Sequence, residues 1–213
     1  MKKVFPERTG SSLLLVIMLL LVALLPLRAQ QYHQSIIDYR KQYKQELLAE
    51  PRKPVDSVDL KYLNFFEPNP AYVVHSRFTP IPDTLGFDMQ THTGKVKPYR
   101  VYGRIEFTLG NELCTLYVYQ SVDLMKKKGM ENHLFIPFTD ATSGESTFSG
   151  GRYLDFTTAD LFSNTLLVDF NKAYNPYCAY KIGFSCPIPP AENRLTVKIE
   201  AGEKRYGKEP QEH

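Results

Sequence analysis

The 213-residue chain has no tryptophan, only three cysteines, and five histidines that form neither an HxxxH nor an HxH pair. Isolated histidines are ordinarily surface or satisfied core residues, so no metal is expected; a zinc site from Cys178, Cys186 and a distant His92 or His133 has no spacing to recommend it. A glycine-rich phosphate loop is missing too, because Ser149-Gly150-Gly151-Arg152 is short and precedes no helical pattern. The run Thr142-Ser143-Gly144-Glu145-Ser146 lacks the Gly-x-Ser-x-Gly order of a nucleophile elbow. No cofactor is implied by any motif.

Long apolar runs are scarce. The longest, 13–25, falls short of the ~18 to 20 residues that span a bilayer comfortably, and Lys2, Lys3 and Arg8 precede it. It reads as a secretory signal peptide over 1–29, cut after Ala29, with an uncleaved anchor as the alternative. No cysteine follows the run, so lipid attachment is not indicated. The expected location is therefore periplasmic or secreted, or else anchored by the N-terminal segment.

An excess of charge is also lacking once the leader is set aside. Residues 1–29 carry four of the 26 basic and one of the 23 acidic residues, leaving 22 of each sign. A mature chain with no basic stripe offers no footprint for phosphates, which excludes nucleic acid as a partner. Lys126-Lys127-Lys128 is a short run expected in a solvated turn. Membrane contact is expected only through the N-terminal segment, if it is retained.

What is present is tyrosine, phenylalanine and turn residues: 14 Tyr, 13 Phe, 15 Pro and 12 Gly, a bias that favours a β-rich fold. Before the β pattern begins, Tyr32, Ile36, Tyr39, Tyr43 and Leu47 recur at helical spacing, with Asp38, Arg40, Lys41, Lys44 and Glu46 between them. This predicts an amphipathic helix stopped by Pro51 and Pro54 that packs on its own domain, with a spacer or partner helix holding the domain off the membrane as the alternative. The organisation is then a leader over 1–29, a helix and linker over 30–54, one β-rich domain over 55–204, and a polar, frayed tail over 205–213.

The clearest hairpin is 99–109 with 112–120, turned by Gly110-Asn111, whose residues tolerate positive φ. Pairing Leu109 with Glu112 sets Val101, Gly103, Ile105 and Phe107 beside Gln120, Val118, Leu116 and Cys114, an almost wholly apolar face. Cys114 is thereby a small buried hydrophobe. Further strands are expected at 71–78, 84–89, 133–138, 152–156, 165–170 and 195–200. About eight short strands without crossover helices predict an antiparallel β-sandwich or barrel with an N-terminal amphipathic helix.

The stretch 169–195, DFNKAYNPYCAYKIGFSCPIPPAENRL, should be an ordered, non-repetitive loop, since proline removes backbone donors and asparagine bonds its own backbone. Cys178 and Cys186 lie close enough in sequence for a disulfide in an oxidising compartment, and a reactive thiol or a thiolate pair would look the same. Around the loop, Arg152, Asp169, Cys178 and Glu192 are the catalytic candidates. Arg152, Tyr153, Asn171, Asn175, Asn193 and Arg194 are the ligand-binding candidates.

The motifs GGRYLDF from Gly150, DFNKAYNPYCAY from Asp169, CPIPPAENRL from Cys186 and AGEK from Ala201 resemble a bacterial family, domain of unknown function 1684, over 59–204. The resemblance implies a boundary and no mechanism. Two classes of function stay open. The first is a binding module presenting the 169–195 loop to a small molecule, glycan or peptide. The second is a hydrolase or a thiol- or metal-dependent enzyme whose Arg152, Asp169, Asn171, Cys178 and Glu192 converge in a pocket.

Overall fold

A computed structural model describes residues 9–82 and 85–210, with the backbone alone described over 9–26. The chain opens with helix α1, Thr9–Ala49, so the predicted leader is helical where described, and its first eight residues lie outside the described set. Among the described residues no helix is long and apolar enough to cross a membrane. The predicted stripe is the docking face: Ile36, Tyr43 and Leu47 are buried, and Tyr32 and Tyr39 donate hydroxyl hydrogen bonds to Asp169 Oδ1 and the Lys172 carbonyl. Arg40 is buried with them, over the ring of Phe65. Pro51 ends the helix as expected.

The strands are β1 Val73–Pro80, β2 Phe87–Gln90, β3 Val96–Leu109, β4 Glu112–Ser121, β5 His133–Phe138, β6 Arg152–Thr157, β7 Leu161–Phe162 and β8 Thr165–Asp169, with a short helix α2, Val122–Met125, after β4. They form one antiparallel sheet in the order β6-β5-β4-β3-β1-β8-β7, and β2 pairs with the start of β3. The protein is mainly β, as predicted. Among the described residues the sheet is neither closed into a barrel nor faced by a second sheet. Its core face is covered by irregular chain that supplies Phe170, Ala173, Leu195, Ile199 and Ala201 to a cluster with Ile105, Leu116, Val118, Leu134, Ile136 and Phe138.

Two corrections follow from where backbone bonds go. The segment 195–200 alternates like a strand and buries Leu195 and Ile199, yet it joins no ladder. Its backbone is taken by other partners: Leu195 N–H bonds Thr139 O, Ala141 N–H bonds Val197 O, Ile199 N–H donates to the Asp140 carboxylate, and Arg152 donates to Ile199 O. The eighth strand is instead the short β7. The tail is not frayed where it is described: Tyr206 is buried, and Arg205 and Gly207 donate backbone bonds to Ser146 and Tyr62.

The hairpin register holds from Leu109↔Glu112 to Gly103↔Val118 and then shifts, so that Val101 pairs with Tyr119 instead of Gln120. A β-bulge at Tyr102 adds one residue, and one residue reverses every side chain beyond it. Tyr99 is thereby moved off the core face, where odd-numbered Ile105 and Phe107 lie, to the opposite face. Gly103 is needed beside the bulge because a Cβ there would stand 2.4 Å from the Phe78 ring.

Candidate functional site

The face opposite the core carries Tyr99, Tyr119, Phe135 and Tyr153, joined by Met89. Strand alternation sets this up: on β6, Arg152 and Leu154 turn inward while Tyr153 and Asp155 turn to this face. Tyr99 stacks on Phe135 with centroids 5.8 Å apart, and Phe135 meets Tyr153 edge-on at 4.7 Å. Tyr174 meets Tyr153 at 90° from the loop side. These four rings floor a cavity of about 670 Å³, within the usual range for small-molecule sites.

Its walls come from distant segments. Leu124 and Met130 border one side, and the loop from Pro176 to Pro187 borders the other. Arg52, just beyond α1, lies over both Tyr177 and Phe184 at 5.3 Å from each ring, while its Nε donates to Glu50. Lys97 adds a second cation, and burial lowers its pKa. Opposite them, His133 Nε2 contacts Asp155 Oδ1 at 2.9 Å, and Tyr174 donates its hydroxyl to the other oxygen of Asp155. His133 and Asp155 are diagonal neighbours across β5 and β6. An ionised carboxylate only accepts, so the proton of neutral His133 sits on Nε2. Burial pushes Tyr99 up to about 12 and Tyr153 and Tyr174 well above their usual value, so all three remain neutral phenols at ordinary pH.

The loop wall is fixed by its surroundings. Ile188 N–H bonds Gln90 O, His92 N–H bonds Cys186 O, and the Tyr153 hydroxyl donates to Pro187 O. The expected disulfide is not formed: Cys178 and Cys186 are free thiols, and Cys178 N–H donates to Cys186 Sγ at 3.2 Å. The neighbouring Cys178 thiol lowers the Cys186 pKa against the opposing effect of burial, with Lys97 and Arg52 assisting; the Cys178 thiol is raised in turn. Cys186 lines the cavity.

Of the residues singled out from the sequence, Tyr153 and Cys186 border the cavity. Arg152 does not. It is 1% exposed on the core side and donates to the carbonyls of Ile199, Ala201 and Glu203, with Asp140 at 3.5 Å. Asp169 caps the turn Phe170–Lys172 by accepting from Asn171 N–H, and Asn171 clasps the Asn69 backbone with both ends of its amide. Asn175 donates from Nδ2 to Lys204 O, and Asn193 ties the Tyr117 backbone to Pro137 O. Glu192 and Arg194 are exposed. The five residues of the enzyme reading therefore do not converge on the cavity: Arg152 serves the covering layer, Asp169 and Asn171 share one turn, Cys178 backs Cys186, and Glu192 faces solvent. The backbone demands of an irregular covering layer explain why: buried N–H and C=O groups outside a ladder need side-chain partners.

Sequence reasoning missed Arg52, Lys97, Tyr99, His133 with Asp155, and Tyr174 as one group. It also missed Glu203, which is wholly buried and accepts from Asn175 N–H and from the hydroxyls of Tyr43 and Tyr180. Burial raises the Glu203 pKa to about 7 against those hydrogen bonds. The AGEK motif held the only signal for it. Among the described residues no three of His, Cys, Asp or Glu lie together in a way that could hold a metal ion.

A family model described as Protein of unknown function (DUF1684) matches residues 59–204, and the chain belongs to that family. The solution NMR structure of the uncharacterized protein from gene locus rrnAC0354 of Haloarcula marismortui is similar, with 28% identity and a TM-score of 0.59, over 81% of this chain and 97% of that one. No curated protein matches the chain.

Proposed function

We propose that this DUF1684 member is an exported envelope protein whose β domain is a binding module, taking a flat, largely apolar small molecule with a negative group. The observation that carries this reading is the combination at one cavity of four aromatic rings with Arg52 and Lys97. Aromatic faces give contact area at little entropic cost, and an arginine or lysine at a partly dry rim orients an anion. The loop takes part as the wall behind Cys186 and Pro187, which is the role expected of a loop held on a rigid scaffold. Calorimetry with naphthoate and its neutral isostere naphthamide tests the reading. The carboxylate should bind at least tenfold more tightly, and no binding by either compound would reject it.

Export is supported by the basic residues and the 13-residue apolar run at 13–25. Cell fractionation with N-terminal sequencing should find the protein in the envelope or medium, starting at Gln30 or retaining its N-terminal segment as an anchor. A cytosolic location would contradict export. A thiol enzyme remains the second reading, favoured by Cys186 in the cavity wall, whose sulfur accepts a hydrogen bond from Cys178 N–H. Under that reading iodoacetamide at neutral pH labels Cys186 before Cys114 and Cys178, and preferential labelling of either other cysteine would dismiss it.

A further inference from the structure

Helix α1 has a second stripe, one residue on from the docking stripe: Ile37, Lys41, Lys44 and Leu48, at spacings of four, three and four. Ile37 and Leu48 are both 39% exposed, although each stands one residue from a buried core position. Together with Arg40, Gln45, Leu60 and Phe65 the stripe lines a groove of about 490 Å³ on the outside of the helix, away from the aromatic cavity's lining. From Ile37 to Leu48 the helix rises ~16 Å, so the groove is elongated.

Its charge is of one sign. Arg40, Lys41 and Lys44 line it, and no Asp or Glu does. Arg40 is 8% exposed, and its Nε and Nη2 are buried without a hydrogen-bond partner. A buried guanidinium without a bonded anion is costly, and its neighbourhood favours a negative group. The carboxylates whose charge reaches Arg40, Glu67 and Asp169, make no ion pair with it: Glu67 is 94% exposed and lies 3.6 Å from His33, and Asp169 accepts from Tyr32 and Asn171. Arg40 and Lys44 both sit over the Phe65 ring, at 4.8 and 5.7 Å, so the cations and the apolar wall form one surface.

The geometry points to a binding site for an anionic lipid, with the headgroup at Arg40, Lys41 and Lys44 and an acyl chain along Ile37, Leu48, Leu60 and Phe65. Charge complementarity selects the negative headgroup, and the exposed apolar residues that flank the cations select an amphiphile over a purely polar anion. An acidic peptide would satisfy the cations and leave Ile37 and Leu48 in water.

The test is a titration of the full chain, held in a neutral detergent, with dihexanoyl phosphatidylglycerol below its micelle concentration and with dihexanoyl phosphatidylcholine as the control. NMR shifts should be saturable with the anionic lipid and centred on Ile37, Lys44, Leu48 and Phe65. K41E/K44E, which alters two side chains outside the core, should weaken binding at least tenfold, while Arg52→Ala should leave it unchanged. Equal binding of the two lipids, or wild-type affinity in K41E/K44E, would overturn the assignment. So would saturable binding of a polyglutamate peptide stronger than that of the anionic lipid.

Discussion

The two faces of the single sheet are built on the same strands and differ in what selects their residues. On β5, Leu134, Ile136 and Phe138 are 0% exposed and fill the core, whereas His133 and Phe135 look onto the cavity. The core face is aliphatic and Phe-rich, and it is sealed by irregular chain whose polar groups are met by Arg152 and Asp140 and whose Asn193 ties it to β4 and β5. The cavity face presents Tyr99, Tyr153 and Tyr174, whose phenols stay neutral and of which Tyr153 and Tyr174 donate hydrogen bonds. Its charge therefore comes from the rim, from Arg52, Lys97 and the His133 and Asp155 pair. One face is specified by volume, and the other by where a few polar atoms sit.

If that contrast is right, changes on the core side should act on stability and leave naphthoate affinity alone. Arg152→Ala should have the largest effect, a loss of about 3 to 5 kcal/mol, because it removes the cation beside the buried Asp140 carboxylate and the donor to three carbonyls. Leu116→Ala, at a fully buried position, should cost about 2 to 5 kcal/mol. Urea unfolding measures both, and calorimetry on the folded fraction should give wild-type affinity. A weakened affinity would mean that the two faces are coupled.

Glu203 sharpens the comparison, because it is a buried acid belonging to neither face. Its folded pKa of about 7 lies above the usual 4.5, so folding favours the protonated form. That contribution is complete below pH 4.5 and is lost as pH rises through 7, by a few kcal/mol in order of magnitude. The stability difference between wild type and Glu203→Gln, followed by urea unfolding from pH 4.5 to 8, should therefore shift against the wild type with rising pH. A flat difference would contradict the burial argument.

Arg52→Ala should show the smallest effect on folding and the opposite profile. Its side chain is 62% exposed, so unfolding free energy should move by no more than about 0.5 kcal/mol. Naphthoate affinity should fall roughly tenfold, the usual scale for a charged partner of an anion. A stability loss above 1 kcal/mol with unchanged affinity would invert the assignment of this residue.

Most of the scaffold was legible in the sequence. Period-two alternation and Gly110-Asn111 located the hairpin and most of its register, and the four-three spacing located the docking face of α1. The bulge at Tyr102 was not legible, because an extra residue in a strand leaves the local composition unchanged. Segment 195–200 looked like a strand because its side chains alternate, while its backbone is satisfied by Asp140 and Arg152 from elsewhere. The prominent Asn, Arg and Asp of the motifs drew attention for their polarity, and that polarity completes the covering layer. The cavity escaped because Arg52, Lys97, His133 and Tyr174 are far apart in sequence and only the fold gathers them.

The most direct test of the central claim is an amide and methyl NMR titration of the wild-type protein with naphthoate. Saturable shifts are expected at Tyr99, Phe135, Tyr153, Tyr174 and Arg52, with Leu116 and Ile136 unmoved. Shifts spread over the core face, or confined to segments outside the cavity, would contradict it.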